Sequence, residues 1–566
     1  MCGFLASINK NGFCKDNINK GLKLLRHRGP NDSGYEVYPI AKSNVLLGHT
    51  RLSIIDLSDA GHQPFWSACK QYCIAYNGEV YNYKELRNEL KGLGVIFKTD
   101  SDTEVVLLSW MYWGENSLKK FIGMFSFVIM DKQKEEIFGA RDAFGIKPFF
   151  YTQSNGVFSA ASELPALLAV NGNEGKLNLQ RSYDYLVHGD YDSTNESFLE
   201  GINKVPAGCF FKHKIQSQEK INIIKWWEPS TETTWNKGYS KAVLAVRETF
   251  LNSVGLHMRS DVEFGAALSG GVDSSAIVCA MKHINPDLKI NTFSYIADDH
   301  SLSEEVWVDG INKEVESKAH KVYTNSQSLM DDLDNMLMAQ GEPFGGTSIY
   351  AQYNVFKLAH EKGVKVVLEG QGADELLAGY IGYPGQRILS IIEKKGFFSA
   401  HSYIKKWANY PGRSYFLGIQ YFIQLLLRGK VYSIVRKMMG NNFQPLWLRN
   451  EVLKGKNVSL TENRIVLNKK NKGNRVKEAL VNSLQHRGLA SLLRHGDRNS
   501  MAFSVESRVP FLTIPMAELL LSLPEEYLIS DDGVTKNIFR DAMRGIVPDE
   551  HLDRKDKVGF STPEKN

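Results

Sequence analysis

Three short stretches place reactive side chains where plain structure would not need them. The first is Met1-Cys2-Gly3 at the start of the chain. A small second residue lets the initiator methionine be removed, and Cys2 would then carry a thiol and a free α-amine together. That amine, with a reference pKa of about 8, is partly neutral near neutral pH and can act as the thiol's base. On the dipeptide alone the plainer reading, an incidental cysteine, is stronger. The second stretch is Ser269-Gly270-Gly271-Val272-Asp273-Ser274-Ser275, after an apolar run. Small residues there let backbone amides approach an oxyanion, and a helix opening behind them adds its positive dipole end. A tight turn explains the two glycines but not the crowding of Ser269, Asp273, Ser274 and Ser275. The pattern is neither G-x-G-x-x-G nor a Walker A loop. The third is Glu369-Gly370-Gln371-Gly372-Ala373-Asp374-Glu375. Mg²⁺ on a polyphosphate takes one or two carboxylates plus phosphate oxygens, so Asp273 and Asp374 are the candidate ligands.

Four polar clusters accompany Cys2 in the N-terminal half: 26–34 (RHRGPNDSG), 49–58 (HTRLSIIDLS), 76–83 (YNGEVYNY) and 101–105 (SDTEV). Singly, Asn77-Gly78 is a turn and Arg51 a surface charge. Together they match one need. A thiol attacking an amide requires donors for the oxyanion, such as an Asn side chain and a Gly backbone N–H. An amino-acid substrate also requires an Arg for its carboxylate and an Asp for its ammonium.

The elements that must hold these residues are legible in outline. From 1 to about 210, apolar runs of strand length (CGFLASI, NVLLGHTRLSII, QYCIAYNGEVY, MFSFVIMD, EIFGARD, PFFYTQ, VFSAASE) alternate with Gly, Asn and Asp. Two helices are expected, at 18–29 and 83–94. Many strands and few helices predict two layers of sheet with helices outside. In the C-terminal half, 263–282 reads as an apolar strand, a Gly-rich turn and a helix, 290–296 as the next strand, 348–363 as a helix and 364–380 as a strand entering another Gly-rich turn.

Bulk properties bound the rest. A chain of 566 residues is long enough for two to four domains, and 43% hydrophobic with 23% charged residues is a globular composition. A net charge of +5 does not suggest a nucleic-acid binder. The basic run at 468–478 reads first as a solvated loop. The most apolar stretch, 415–427, is too short to span a bilayer and is expected to be a buried helix. Six scattered cysteines, with no secretory signal, fit free thiols in a reducing cytoplasm.

The motifs MCGF, RHRGPN, RLSIID, GHQPF, YNGEVYNY, SDTE and ARDAFGIKP, in that order, resemble the glutaminase domain of class II glutamine amidotransferases. The resemblance implies an N-terminal-nucleophile hydrolase fold, an αββα sandwich. It implies Cys2 as nucleophile and Asn77 with the Gly78 amide as oxyanion hole. It implies glutamine held by Arg51, Leu52, Ile55, Asn77, Gly78, Glu79 and Asp102. The SGGVDS loop resembles the pyrophosphate-binding loop of the ATP pyrophosphatases, which implies a doubly wound parallel sheet with that loop at the carboxyl end of its first strand. With RHGDRNSMAFSVESRVPFL, TKNIFRDAMRGIVPDE and RKDKVGFSTP it extends the likeness to the asparagine synthetases over most of the chain. ATP is then implied at Leu268, Ser269, Gly270, Gly271, Asp273, Ser274, Tyr295, Glu369 and Gly370, with Mg²⁺ on Asp273 and Asp374. Lys536 would stabilise phosphate charge, and Arg508 would be structural. The fold class expected is α+β followed by α/β: a glutaminase domain at 2–210, a linker at 211–240 and a synthetase domain at 241–566, with a helical, basic insertion at 385–480.

The resemblance implies that ammonia from glutamine amidates an acceptor carboxylate activated by ATP. Aspartate is the default acceptor. A carboxylate on a sugar or surface-polysaccharide precursor is the alternative, and a catalytically silent regulatory protein is a second. Two departures stand out. Gln371 occupies a position where bacterial relatives often have Glu, credited with helping ammonia attack, and an amide cannot accept a proton as a carboxylate does. The chain also ends at FSTPEKN, where relatives commonly continue for several dozen residues. A homodimer is implied by the family only, and no nucleic-acid partner or transmembrane segment is expected.

Overall fold

The computed structural model describes residues 2–154, 156–297, 303–427, 445, 447–460, 466–486 and 488–554. Among the described residues, seventeen strands form three sheets. In the N-terminal half they are β1 (Gly3–Asn9), β2 (Asp32–Ile40), β3 (Ser43–Arg51), β4 (Phe65–Trp66), β5 (Tyr72–Val80), β6 (Gly123–Asp131), β7 (Glu136–Arg141), β8 (Phe150–Ser154), β9 (Val157–Ala161), β10 (Ile202–Lys204), β11 (Cys209–Lys214) and β12 (Asn222–Lys225). Two six-stranded sheets result, ordered β10-β8-β9-β1-β3-β2 and β12-β11-β7-β6-β5-β4. Their pairings are antiparallel, for example Ala6 opposite Leu47 and Ala75 opposite Val128.

The pleat explains the layering. Phe4, Ala6 and Ile8 of β1 point into the core between the sheets with Val45, Leu47, Ala75, Val128, Phe149, Phe158 and Phe211. Leu5, on the opposite face, packs beneath helices Lys15–Leu25 and Leu164–Asn171 with Leu25, Leu164 and Leu167. Helices Tyr83–Gly92 and Asp102–Trp113 cover the other sheet. This is the αββα sandwich that the sequence implies.

The first helix ends at Leu25, so the RHRG segment lies outside it and Arg28 turns inward, fully buried. Asn77, Gly78 and Glu79 lie inside β5 rather than in a loop. The second sheet continues through β11 and β12, within the stretch expected as linker, because Phe210 and Phe211 bury their rings against Phe138, Phe149 and Phe158.

The third sheet is β15-β14-β13-β16-β17, from β13 (Phe264–Ala267), β14 (Asn291–Ile296), β15 (Lys318–Tyr323), β16 (Val366–Leu368) and β17 (Glu506–Arg508), parallel throughout. Strand order reverses between β13 and β16, where a doubly wound sheet opens its ligand crevice. Helices Val272–Ile284 and Ser348–Glu361 flank it.

Residues 415–427 correct the expectation of a buried helix. They form the helix Tyr415–Leu426, but only Gly418 is buried in it. The RKDKVGFSTP motif lies, beyond Arg554, outside the described residues, as does the departure at the chain end. In the basic run at 468–478, Arg475 is buried and paired with Glu393 and Glu478, so that part is a core anchor rather than a solvated loop. All six cysteines are free thiols.

Candidate active sites

β1 begins one residue after Cys2 and runs between β3 and β9, so the chain start is gripped on both sides. The Cys2 backbone nitrogen donates to Asn77 Oδ1 at 3.0 Å. With the methionine removed, this nitrogen is the α-amine, held beside its own thiol. Asn77 Nδ2 is buried with no hydrogen-bond partner among the described residues. A buried orphan donor costs about 1–3 kcal/mol, and one beside a nucleophile is what an oxyanion hole requires. Gly78 follows it. A Cβ there would sit 2.1 Å from the Met124 carbonyl oxygen of β6, so the position must be glycine for β5 and β6 to pair. Burial pushes the Cys2 thiol up; the Leu52 backbone N–H and the Arg51 charge pull it down.

The remaining residues implied for glutamine close around this point. Arg51, at the end of β3, donates to the Ser58 carbonyl at 2.7 Å and to the Asp56 carbonyl, so the guanidinium is steered into the 55–58 loop that includes Ile55. Asp102, at the start of its helix, accepts from Tyr76 Oη at 2.8 Å and from the Val80 amide at 3.1 Å. Burial raises its pKa to about 6.

Glu79 carries a contact that its motif does not announce. Its carboxylate pairs with Arg508, which reaches across from β17. Arg508 also donates to Glu506 at 2.6 Å and to the backbone carbonyls of His257 and Arg259. Burial pushes Glu79 up, and the guanidinium it shares with Glu506 offsets only part of that. A second crossing lies on the other side of Cys2. Arg28 Nε donates to the Cys2 carbonyl at 3.0 Å, and its other nitrogens hold Asp497 at 2.8 and 2.9 Å and Glu163 at 2.8 Å. Asp497 belongs to RHGDRNSM in the C-terminal half. The sequence shows both motifs but not their pairing, which joins positions 469 residues apart.

The second site lies at the carboxyl ends of β13 and β16, about a cleft of about 1060 Å³ lined by Leu268, Ser269, Gly271, Asp273, Ser274, Tyr295, Glu369, Gly370, Gln371, Asp374 and Lys536, among others. Gly270, at φ +77°, turns the loop, and Ser274 Oγ accepts from the Ser269 amide at 3.1 Å, which pins it. Lys536 is not solvated. It is buried, with Nζ 2.5 Å from Asp273 and 2.6 Å from Asp374. Burial would lower its pKa, but the two aspartates hold it above the usual lysine value. A Cβ on Gly379 would fall 1.8 Å from Asp374 Oδ1 and 2.3 Å from Lys536 Cε, so this glycine makes room for the ion pair. Asp273 Oδ1 is buried with no hydrogen-bond partner among the described residues. Two convergent carboxylates, one with an orphaned oxygen, fit a Mg²⁺ that takes its remaining ligands from phosphate and water.

Between the sites, Ile146 and Lys147 of the first half meet Glu369, Gln371, Gly496, Asp497, Ser507 and Val509 of the second about a cavity with room for about one water-sized molecule. Glu369 is buried, accepting from Gln352 at 3.0 Å and Ser507 Oγ at 2.5 Å. Burial raises its pKa. Glu369 and Gln371 line both this cavity and the cleft.

Comparison with known proteins gives the family of each half. Residues 1–227 match the model of a glutamine amidotransferase domain and residues 245–566 that of asparagine synthase. The chain is 31% identical to asparagine synthetase [glutamine-hydrolyzing] 1 of Bacillus subtilis, over 100% of this chain and 87% of that protein. It is 32% identical to putative asparagine synthetase [glutamine-hydrolyzing] 2 of Methanocaldococcus jannaschii, over 70% of this chain and 78% of that protein. A glutamine phosphoribosylpyrophosphate amidotransferase structure from B. subtilis is similar over 65% of this chain and 81% of that chain, at 15% identity and a TM-score of 0.29. The chain belongs to the asparagine synthase family, as a glutamine-hydrolysing carbon–nitrogen ligase whose glutamine amidotransferase domain precedes its synthase domain.

Proposed function

We propose that the protein converts aspartate to asparagine, using ATP and the amide of glutamine. The observation that carries this reading is the orphaned Asn77 donor beside Cys2 in the same chain as a cleft that holds Asp273, Asp374 and Lys536.

In the first site, Cys2 Sγ attacks the glutamine amide carbon as its α-amine takes the thiol proton. Asn77 Nδ2 and the Gly78 amide take the oxyanion. The proton passes to the leaving nitrogen, ammonia departs, and water hydrolyses the thioester to glutamate. Arg51 receives the glutamine α-carboxylate and Asp102 its ammonium.

In the second site, the 269–274 loop receives the ATP phosphates at the start of the 272–284 helix. Asp273 and Asp374 would hold Mg²⁺, which neutralises polyphosphate charge and lets pyrophosphate leave. Lys536, released from the aspartates it bridges, would move to the phosphates. The acceptor carboxylate attacks the α-phosphorus, and ammonia then attacks the acyl carbon and expels AMP. Near neutral pH most free ammonia is ammonium, so a passage shielded from bulk water would keep the nucleophile neutral. Gln371 cannot take the proton that ammonia loses. Glu369, two residues away and lining both spaces, is the carboxylate placed to accept it.

The cleft is walled further out by Trp407, Tyr410, Arg413 and Leu417 of the inserted helices. This favours, as a second reading, a larger acceptor such as a carboxylate-bearing sugar, whose ring could stack on the aromatic groups. A silent regulatory role sits poorly with two intact, orphan-bearing sites. The test is incubation with glutamine, ATP-Mg²⁺ and aspartate. Glutamate, pyrophosphate and asparagine in equal amounts are expected. Glutamate without aspartate-dependent pyrophosphate overturns aspartate as acceptor.

A further inference from the structure

Residues 394–450 contain ten Lys and Arg and no Asp or Glu, in a chain whose net charge is only +5. The remainder of the chain is therefore net negative. Within this stretch two helices, Phe397–Trp407 and Tyr415–Leu426, pack on each other through Ile404, Trp407 and Gly418. Their exposed sides carry large apolar groups beside His401, Ser402, Lys405 and Lys406. Phe397 is 73% exposed, Phe398 94% and Phe416 82%, and Ile423 and Leu426 are also exposed. The 415–426 helix has no charged side chain, its polar groups being Gln420, Gln424 and the hydroxyls of Tyr415 and Tyr421. Lys394, Lys395 and Lys405 stand exposed around this face.

We propose that this helical pair is where the protein lies on an anionic phospholipid surface. Exposed aromatic and aliphatic side chains ringed by lysines are what an interfacial helix presents: rings enter the headgroup boundary while ammonium groups stay with lipid phosphates. Twelve residues are too few to span, so the helix lies in the membrane plane. A second copy fits less well, because a two-fold contact would set the same basic face against itself. A single-stranded nucleic acid would use the aromatic rings but not Ile423 and Leu426. Trp407, Tyr410, Arg413 and Leu417, from the same pair and its connection, wall the synthetase cleft. Docking therefore holds the cleft opening at the lipid surface. The inference does not depend on which acceptor is amidated.

The full chain is co-sedimented with vesicles of phosphatidylcholine alone and of phosphatidylcholine mixed with phosphatidylglycerol. Binding to the mixed vesicles, weakened by salt, is expected. Phe398→Glu with Phe416→Glu lowers partitioning by at least about tenfold. Lys394→Gln, Lys395→Gln and Lys405→Gln each lower it about fivefold. Met338→Glu, at another exposed apolar position, changes nothing. Glutamine hydrolysis by each variant reports that it is folded. The proposal is overturned by absent vesicle binding, or by binding that survives the double Phe variant. It is equally overturned if that variant instead dissociates a dimer, or if an oligonucleotide binds and vesicles do not.

Discussion

Asp102 is buried beside Tyr76 and Val80, and burial holds its pKa at about 6. Its charged form is the one that can hold the ammonium of glutamine. Acid protonates it. The Cys2 α-amine, with a reference pKa of about 8, must also be neutral, so kcat/KM for glutamine should fall about tenfold per pH unit below about 8 and about a hundredfold per unit below about 6, because that ratio reports the free enzyme. Ammonia-dependent synthesis, corrected for the ammonia fraction, should show neither limb. A slope that stays at about tenfold per unit down to about pH 5 would remove Asp102 from substrate binding. Glu369 is the second residue whose state matters. Glu369→Gln should lower the amidation rate about 10²–10⁴-fold, the usual worth of a general base, while leaving glutamine hydrolysis near normal. Gln371→Glu combined with Glu369→Gln should recover part of the loss; no recovery would place the proton elsewhere. The sequence motifs point to Asp102 as a glutamine-binding residue and to Glu369 only as an ATP-binding one. The role of Glu369 was not legible, because it depends on lining two spaces at once.

At the scale of elements, the turn after β16 must admit both Asp374 and the stem of Lys536 at Gly379. Gly379→Ala would force one of them aside. It should reduce ATP-dependent pyrophosphate release by about tenfold or more while glutamine hydrolysis persists, since a misplaced group at a reacting centre costs on that order or beyond. Long alternating strands such as β1, β3, β5 and β6 were readable from their apolar runs. β2 was not, since Asp32–Ile40 is half exposed and contains Pro39. β17, three residues long, is defined by pairing with β16 rather than by any local pattern. The 415–427 stretch misled in another way. Its apolar character was plain, but hydropathy measures what a helix would bury and not whether the molecule supplies a partner.

Across the whole molecule, two buried ionic crossings, Arg28 with Asp497 and Glu79 with Arg508, bracket Cys2. Asp497→Asn would leave Arg28 without that charge, and breaking a buried pair from one side costs about 3–5 kcal/mol, measurable by urea unfolding. Arg28 holds Asp497 below the usual carboxylate range against burial, and Arg498 does the same for Glu163. Carboxylates with lowered folded-state pKa stabilise above their ordinary values and lose that contribution as pH falls through the folded ones. The two halves should therefore separate in acid, below about pH 4, with protection of the 26–29 segment from hydrogen exchange lost first. Such crossings are invisible in sequence, because each partner alone reads as an ordinary charge.

The central claim is that one chain makes ammonia at Cys2 and spends it at a separate ATP site. Comparing wild type with Cys2→Ala, supplied in turn with glutamine and with ammonium, tests this most directly. The variant should lose glutamine-driven amide formation by at least about 10³-fold, the scale of removing a nucleophile, and keep ammonium-driven amide and pyrophosphate formation near wild type. Loss of both activities, or retention of both, would contradict the account.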